Sequence, residues 1–116
     1  MGKAEDPIHI SILNYLRLRY PRALIFHPAN EMNLRADPKS KAIAQNRAKA
    51  MGMMPGIPDL IMLHDATFYS FEVKSPKGTL ADTQRMCAVT IKANGGHWFL
   101  VRSIDEVRAA MAGVTG

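Results

Sequence analysis

The sequence predicts an α/β protein, a mixed four-stranded sheet flanked by helices. Three observations lead there. Apolar residues switch between helical spacing and short strand-like runs in the order α, β, α, β, β, α, β, α. Two of the runs, about 59 to 64 and 67 to 74, are separated only by Asp65 and Ala66, a connection that only an antiparallel hairpin can make. A helix then joins the second of them to the last strand, and a β-α-β crossover of this kind favours a parallel pair.

Each element has its own signal. "DPIHISILNYLRLRY" predicts the first helix: Asp6 can cap, Pro7 suits the first helical position, and Ile8, Ile12, Tyr15 and Leu16 recur at helical spacing before Pro21 stops it. "ALIFH", 23 to 27, is a short apolar run ending at Pro28 and reads as a strand. "SKAIAQNRAKAM", 40 to 51, is an Ala-rich basic helix closed by Gly52. After the hairpin, "GTLADTQRMCAVTIKANGG" reads as a helix with a polar start, ended by Gly95 and Gly96, and "HWFLVR", 97 to 102, as a buried strand. "SIDE", 103 to 106, is a capping box with Ser103 as cap and Glu106 three residues on, opening a last helix.

Length and composition bound what these elements can build. A chain of 116 residues suits one domain, 1–116, and is too short for two ordinary ones. With 47% hydrophobic and 22% charged residues, and no repeat or low-complexity run, it is expected to fold around one core. The formal charge of +5 favours an anionic partner, nucleic acid being the commonest for so small a domain, though a membrane surface attracts the same charge. No apolar stretch approaches the ~18 residues of a membrane span, and "MGKAEDPIHI" has no signal-peptide core. The single Cys87 cannot form an internal disulfide, which fits a reducing, intracellular setting.

Three charges stand where the hairpin should be apolar. If Asp65 and Ala66 are its two-residue loop, 64 faces 67, 62 faces 69 and Asp59 faces Glu72. Opposed side chains have Cβ atoms ~5 Å apart, so the two carboxylates repel unless something positive lies between them. Strand alternation puts Glu72 and Lys74 on one face, and Phe71 and Val73 on the other, toward the core. Two carboxylates, a backbone carbonyl such as that of Val73, and water suit a hard cation, Mg²⁺ or Mn²⁺. Zinc fits less well, because His9, His27, His64 and His97 show no paired ligand spacing and there is one Cys. The rival reading is a salt-bridge cluster on an edge strand open to water.

Pro58-Asp59 followed by Glu72-Val73-Lys74 resembles the PD-(D/E)XK nuclease superfamily. More narrowly, "HPANE", "GIPDLIM", "FEVKSPKGTLADTQ" and "GGHWFLV", in this order, resemble the virus-type replication-repair nuclease (VRR-NUC) domain, over about residues 27 to 107. The resemblance implies a restriction-endonuclease-like α-β-β-β-α-β core and a metal-dependent endonuclease. It implies metal binding by Asp59 and Glu72, with Lys74 orienting or deprotonating the attacking water. It further implies Glu31 as an additional carboxylate and Gln84 as support from the following helix. Glu31 also reads as an ordinary loop or helix-start acid, and Gln84 as a plain polar helix residue. Arg35, Lys39, Lys41, Arg47 and Lys49 read either as phosphate contacts or as a solvated helix face. The remaining histidines, Cys87 and the methionines read as packing or surface residues, with Met51, Met53 and Met54 a candidate self-association surface. Trp98 reads as a buried strand residue, with base stacking as the alternative.

On the same resemblance, the expected substrate is branched DNA, cut by a homodimer whose twofold axis matches that of a four-way junction, in the cytoplasm of a bacterial cell or phage-infected host. The alternatives are a flap or single-strand nuclease, a nickase, or a nucleic-acid-binding module that does not cleave.

Overall fold

In the computed structural model, residues 4–28 and 37–115 are described. They form α1 (Asp6–Arg19), β1 (Leu24–Phe26), α2 (Pro38–Ala50), β2 (Leu60–His64), β3 (Thr67–Val73), α3 (Asp82–Ala93), β4 (His97–Val101) and α4 (Ile104–Thr115). The order is the one expected, and most boundaries move by one or two residues. The strands form one sheet in the order β1-β2-β3-β4; the first two pairings are antiparallel and β3-β4 is parallel. Among the described residues no helix is long and apolar enough to cross a membrane.

The hairpin register follows the loop. Leu60 pairs with Phe71, Met62 with Tyr69 and His64 with Thr67. Both loop residues take positive φ, Asp65 at 48° and Ala66 at 61°, the backbone twist a two-residue hairpin needs. A slip of one residue would turn Glu72 into the core and Phe71 out of it, so burial and loop enforce the same register.

Alternation then makes two faces. Leu60, Met62, Tyr69, Phe71, Val73 and Val101 point to a core completed by Ile12, Leu16 and Tyr20, together with Val107 and Met111 of α4. The opposite face carries Ile61, Ser70 and Glu72, all buried, and meets the Cys87–Ala88 side of α3. Ser70 Oγ donates to the His97 carbonyl at 2.9 Å, so this buried hydroxyl is satisfied.

The caps differ from expectation in instructive ways. Asp6 is inside α1, whose N-cap is Glu5 without a side-chain cap bond. Asp37 caps α2, accepting from the Ser40 amide at 2.8 Å, so this helix starts two residues earlier than its Ala-rich run suggests. In the box opening α4, the Glu106 amide donates to Ser103 Oγ, while the Glu106 carboxylate accepts from the Arg102 amide rather than from that of Ser103. That bond holds Arg102 outside β4, which ends at Val101.

Candidate active site

Antiparallel pairing brings the end of β1, the start of β2 and the end of β3 to one end of the sheet, and the charged residues collect there. Asp59 lies one residue before β2. Its Oδ2 accepts from the Val73 amide at 2.8 Å, tying it to the β3 residue beside Glu72. The turn before it is held from outside: Gly56 has φ +82°, and a Cβ there would overlap the Thr83 carbonyl and lie 2.8 Å from the Gln84 nitrogen. The glycine thus lets the approach to Asp59 press on the first turn of α3, while Pro58 is fully buried beneath it.

Glu72 is 2% exposed and Lys74 9%. Their burial overturns the rival reading of a water-exposed edge cluster. Lys74 Nζ lies 3.6 Å from Glu72 Oε1. Gln84 Nε2 donates to the same oxygen at 2.7 Å, and Gln84 Oε1 accepts from the Ala81 amide at 2.8 Å. The two bonds fix which way the Gln84 amide faces and tie the start of α3 to Glu72. Ala81 cannot cap α3 with its own side chain, and the backward reach of Gln84 takes over part of that task.

Glu72 Oε2 is buried and has no hydrogen-bond partner among the described residues. Burial, and next the charge of Asp59, push the Glu72 carboxyl up to about 8, with the Lys74 ammonium pulling the other way. An unpartnered, buried carboxylate oxygen beside a second carboxylate is a costly arrangement that a cation relieves. Asp59 and Glu72 are oxygen donors of the kind hard divalent ions take, so the residues present fit Mg²⁺ or Mn²⁺.

The other expected residues divide. Glu31 and Arg35 lie outside the described residues. Lys39, Arg47 and Lys49 are exposed on α2, Lys41 is half-buried, and no residue of that helix is buried. Val73 turns its side chain into the core and its amide to Asp59. Trp98 is half-buried with Lys92 Nζ 5.3 Å from its ring centre. Cys87 lies on the buried side of α3 with its Sγ 3.9 Å from Met54 Sδ, while Met51 and Met54 are exposed.

Two of the histidines meet, a contact that no spacing in the sequence indicates. His9, on the buried face of α1, and His27, just after β1, meet edge to face with ring centres 5.0 Å apart. His27 Nδ1 lies 2.6 Å from the Asp59 carbonyl. No spacing rule finds this pair, because its members come from different elements. The one sequence signal is a histidine on the same helical face as Ile12 and Leu16.

No protein-family model and no curated protein matches the sequence. Solved structures do match in shape. A "VRR_NUC domain protein" superposes with a TM-score of 0.66 at 19% identity, covering 99% of this chain and 90% of that one. A "VRR_NUC domain" gives 0.60 at 16% identity, covering 96% and 97%. The mixed four-stranded sheet, its flanking helices and both superpositions agree: this chain is built on the restriction-endonuclease-like fold of VRR_NUC domains.

Proposed function

We propose that the chain is a nuclease domain spanning 1–116 that hydrolyses DNA phosphodiesters with Mg²⁺ or Mn²⁺, selectively at branched DNA such as four-way junctions. The observation that carries this is Glu72, whose Oε2 is buried without a partner beside Asp59 and within reach of Lys74. A structural salt bridge has no need of the second, repelling carboxylate. The solved structures of the same shape carry a nuclease name, which supports the same reading.

Asp59 and Glu72 would hold the ion, with the Val73 carbonyl and Glu31 as further oxygen donors. Once bound, it supplies positive charge to the non-bridging phosphate oxygens and to the departing oxygen. Gln84 keeps Glu72 in one rotamer, and Asp59 is kept in place by the Val73 amide, so neither carboxylate reorganises during reaction. Lys74 stands next to Glu72 and donates to the attacking water, orienting its lone pair and steadying the charge that develops on phosphate. The cations of α2, with Arg35, hold the phosphate backbone, so this contact should weaken steeply with salt.

Cleavage of a labelled four-way junction, a flap and a plain duplex of matched sequence, with Mg²⁺, Mn²⁺ or chelator, tests the reading. Metal-dependent paired cuts confined to the junction are expected, and Lys74→Ala should lose at least about 10²-fold in rate, as loss of a positioned charge or proton-transfer group does. Binding to all three without cutting would sink the enzyme reading, and cutting of the flap alone would discard the symmetric substrate.

We further propose that the protein acts as a twofold dimer. β1 is an edge strand, and Leu24, Phe26 and Leu63 are 58%, 42% and 42% exposed, with Leu24 directly paired to Leu63. These form an apolar strip that a second copy would cover. Light scattering at micromolar concentration should give the mass of a dimer; a strict monomer rules out two symmetric cuts by one assembly.

A further inference from the structure

The nuclease reading uses the carboxylates and Lys74 and leaves the histidine pair without a task. Their three candidate ligand atoms, one each from His9, His27 and Asp59, all lie within 4.8 Å of one another. A carbonyl oxygen only accepts, so the 2.6 Å contact with the Asp59 carbonyl puts the proton of a neutral His27 on Nδ1 and the lone pair on Nε2. Metal-binding histidines are commonly prepared in this way, the second nitrogen donating to a backbone carbonyl that fixes tautomer and ring direction. His9 is 6% exposed, a polar ring on the face of α1 that otherwise buries Ile12 and Leu16. Its edge-to-face contact with His27 brings the two imidazoles together beside Asp59. Asp59 Oδ2 accepts from the Val73 amide, which holds the carboxylate at this corner.

We propose that His9, His27 and Asp59 form a second cation site, next to the one at Glu72, that takes a transition ion of the Mn²⁺, Co²⁺ or Zn²⁺ class in preference to Mg²⁺. Two imidazoles and one carboxylate form a donor set with open positions, and imidazole nitrogen suits borderline ions where all-oxygen sites suit Mg²⁺. Asp59 is shared with the proposed nuclease centre, but the binding itself does not require that the chain cleave DNA. The site has different selectivity from Glu72, so the chain can carry two different divalent ions at once.

The test uses the whole chain, without DNA, loaded with Mn²⁺ for pulsed electron paramagnetic resonance and with Co²⁺ for visible absorption. Modulation from ¹⁴N coupled to Mn²⁺ is expected, and it should disappear or halve in His27→Asn. Asparagine can still donate to the Asp59 carbonyl, and His27 is exposed, so this variant should fold, as circular dichroism checks. Co²⁺ affinity should fall by at least about tenfold, the scale on which histidine environments set metal affinity, while Mg²⁺ affinity stays within about twofold. Glu72→Gln should keep the ¹⁴N signal. Absence of ¹⁴N coupling in the unmodified chain, or a signal unchanged by His27→Asn, overturns the site. The outcome is independent of the cleavage assay: nitrogen coupling without cutting leaves this site and removes the nuclease, and cutting without nitrogen coupling does the reverse.

Discussion

Glu72→Gln should give a protein that cleaves nothing, no longer gains stability from Mg²⁺, and yet resists alkaline destabilisation better than the unmodified chain. The reason is the direction of the Glu72 shift. In the folded protein its carboxyl titrates near 8 against 4.5 for the free group, because burial and Asp59 disfavour the charged form. Between those values the folded state holds a proton that the unfolded chain has released, so stability without metal is highest below 4.5 and falls as pH rises toward 8. The slope approaches about 1.4 kcal/mol per pH unit where this one group dominates. Glutamine cannot ionise, and its oxygen can still accept from Gln84, so the variant's melting temperature in chelator should be nearly flat over this window. A cation that occupies the site replaces the proton. At a concentration of about 100 times its Kd it adds roughly 2.7 kcal/mol to the unmodified protein and little to the variant. Melting curves from pH 5 to 9, with chelator and with Mg²⁺, read both effects. Equal pH slopes for the two proteins would show that Glu72 is not the buried, proton-holding group described here.

Gly56→Ala should be the most damaging single methyl on the approach to the site. At φ +82° an L side chain is strained, and the added Cβ would meet the backbone of Thr83 and Gln84, which cannot rotate away as a flexible side chain would. Strain and overlap together should cost about 2–3 kcal/mol. For a chain of this size that lowers the melting temperature by roughly 10 °C. The displaced first turn of α3 would carry Gln84 away from Glu72, so cleavage should fall more than stability alone explains. Gly52→Ala is the control: its φ is also positive, at +102°, but nothing lies within 4 Å of the added atom. It carries the strain without the collision and should keep the Gln84 contact and cleavage. If both variants lose stability equally and neither loses activity, the pressure of the turn on α3 has no part in the site.

These tests bear on two kinds of information. The hairpin was legible in the sequence because it is local. A two-residue loop and strict alternation suffice to pair 62 with 69 and 64 with 67 and to separate Glu72 and Lys74 from Phe71 and Val73. The parallel β3-β4 pair was legible for a similar reason, since a helix between two strands leaves few ways to connect them. Helix starts were less so: whether Asp6, Asp37 or Gln84 satisfies an end depends on which free amide the backbone presents, and residue type alone does not say.

By itself, then, the sequence determined the element order, the register of the hairpin and the convergence of Asp59, Glu72 and Lys74, all consequences of short-range geometry along one stretch of chain. The tertiary structure decided how that convergence behaves. Packing of α3 seals Glu72 from water, raises its carboxyl to about 8 and turns Gln84 from a helix residue into its hydrogen-bond partner. Packing of α1 beside β1 brings His9 to His27 and both to Asp59. Burial and side-chain meeting across elements depend on how layers close over one another, and no spacing within a single strand or helix encodes that.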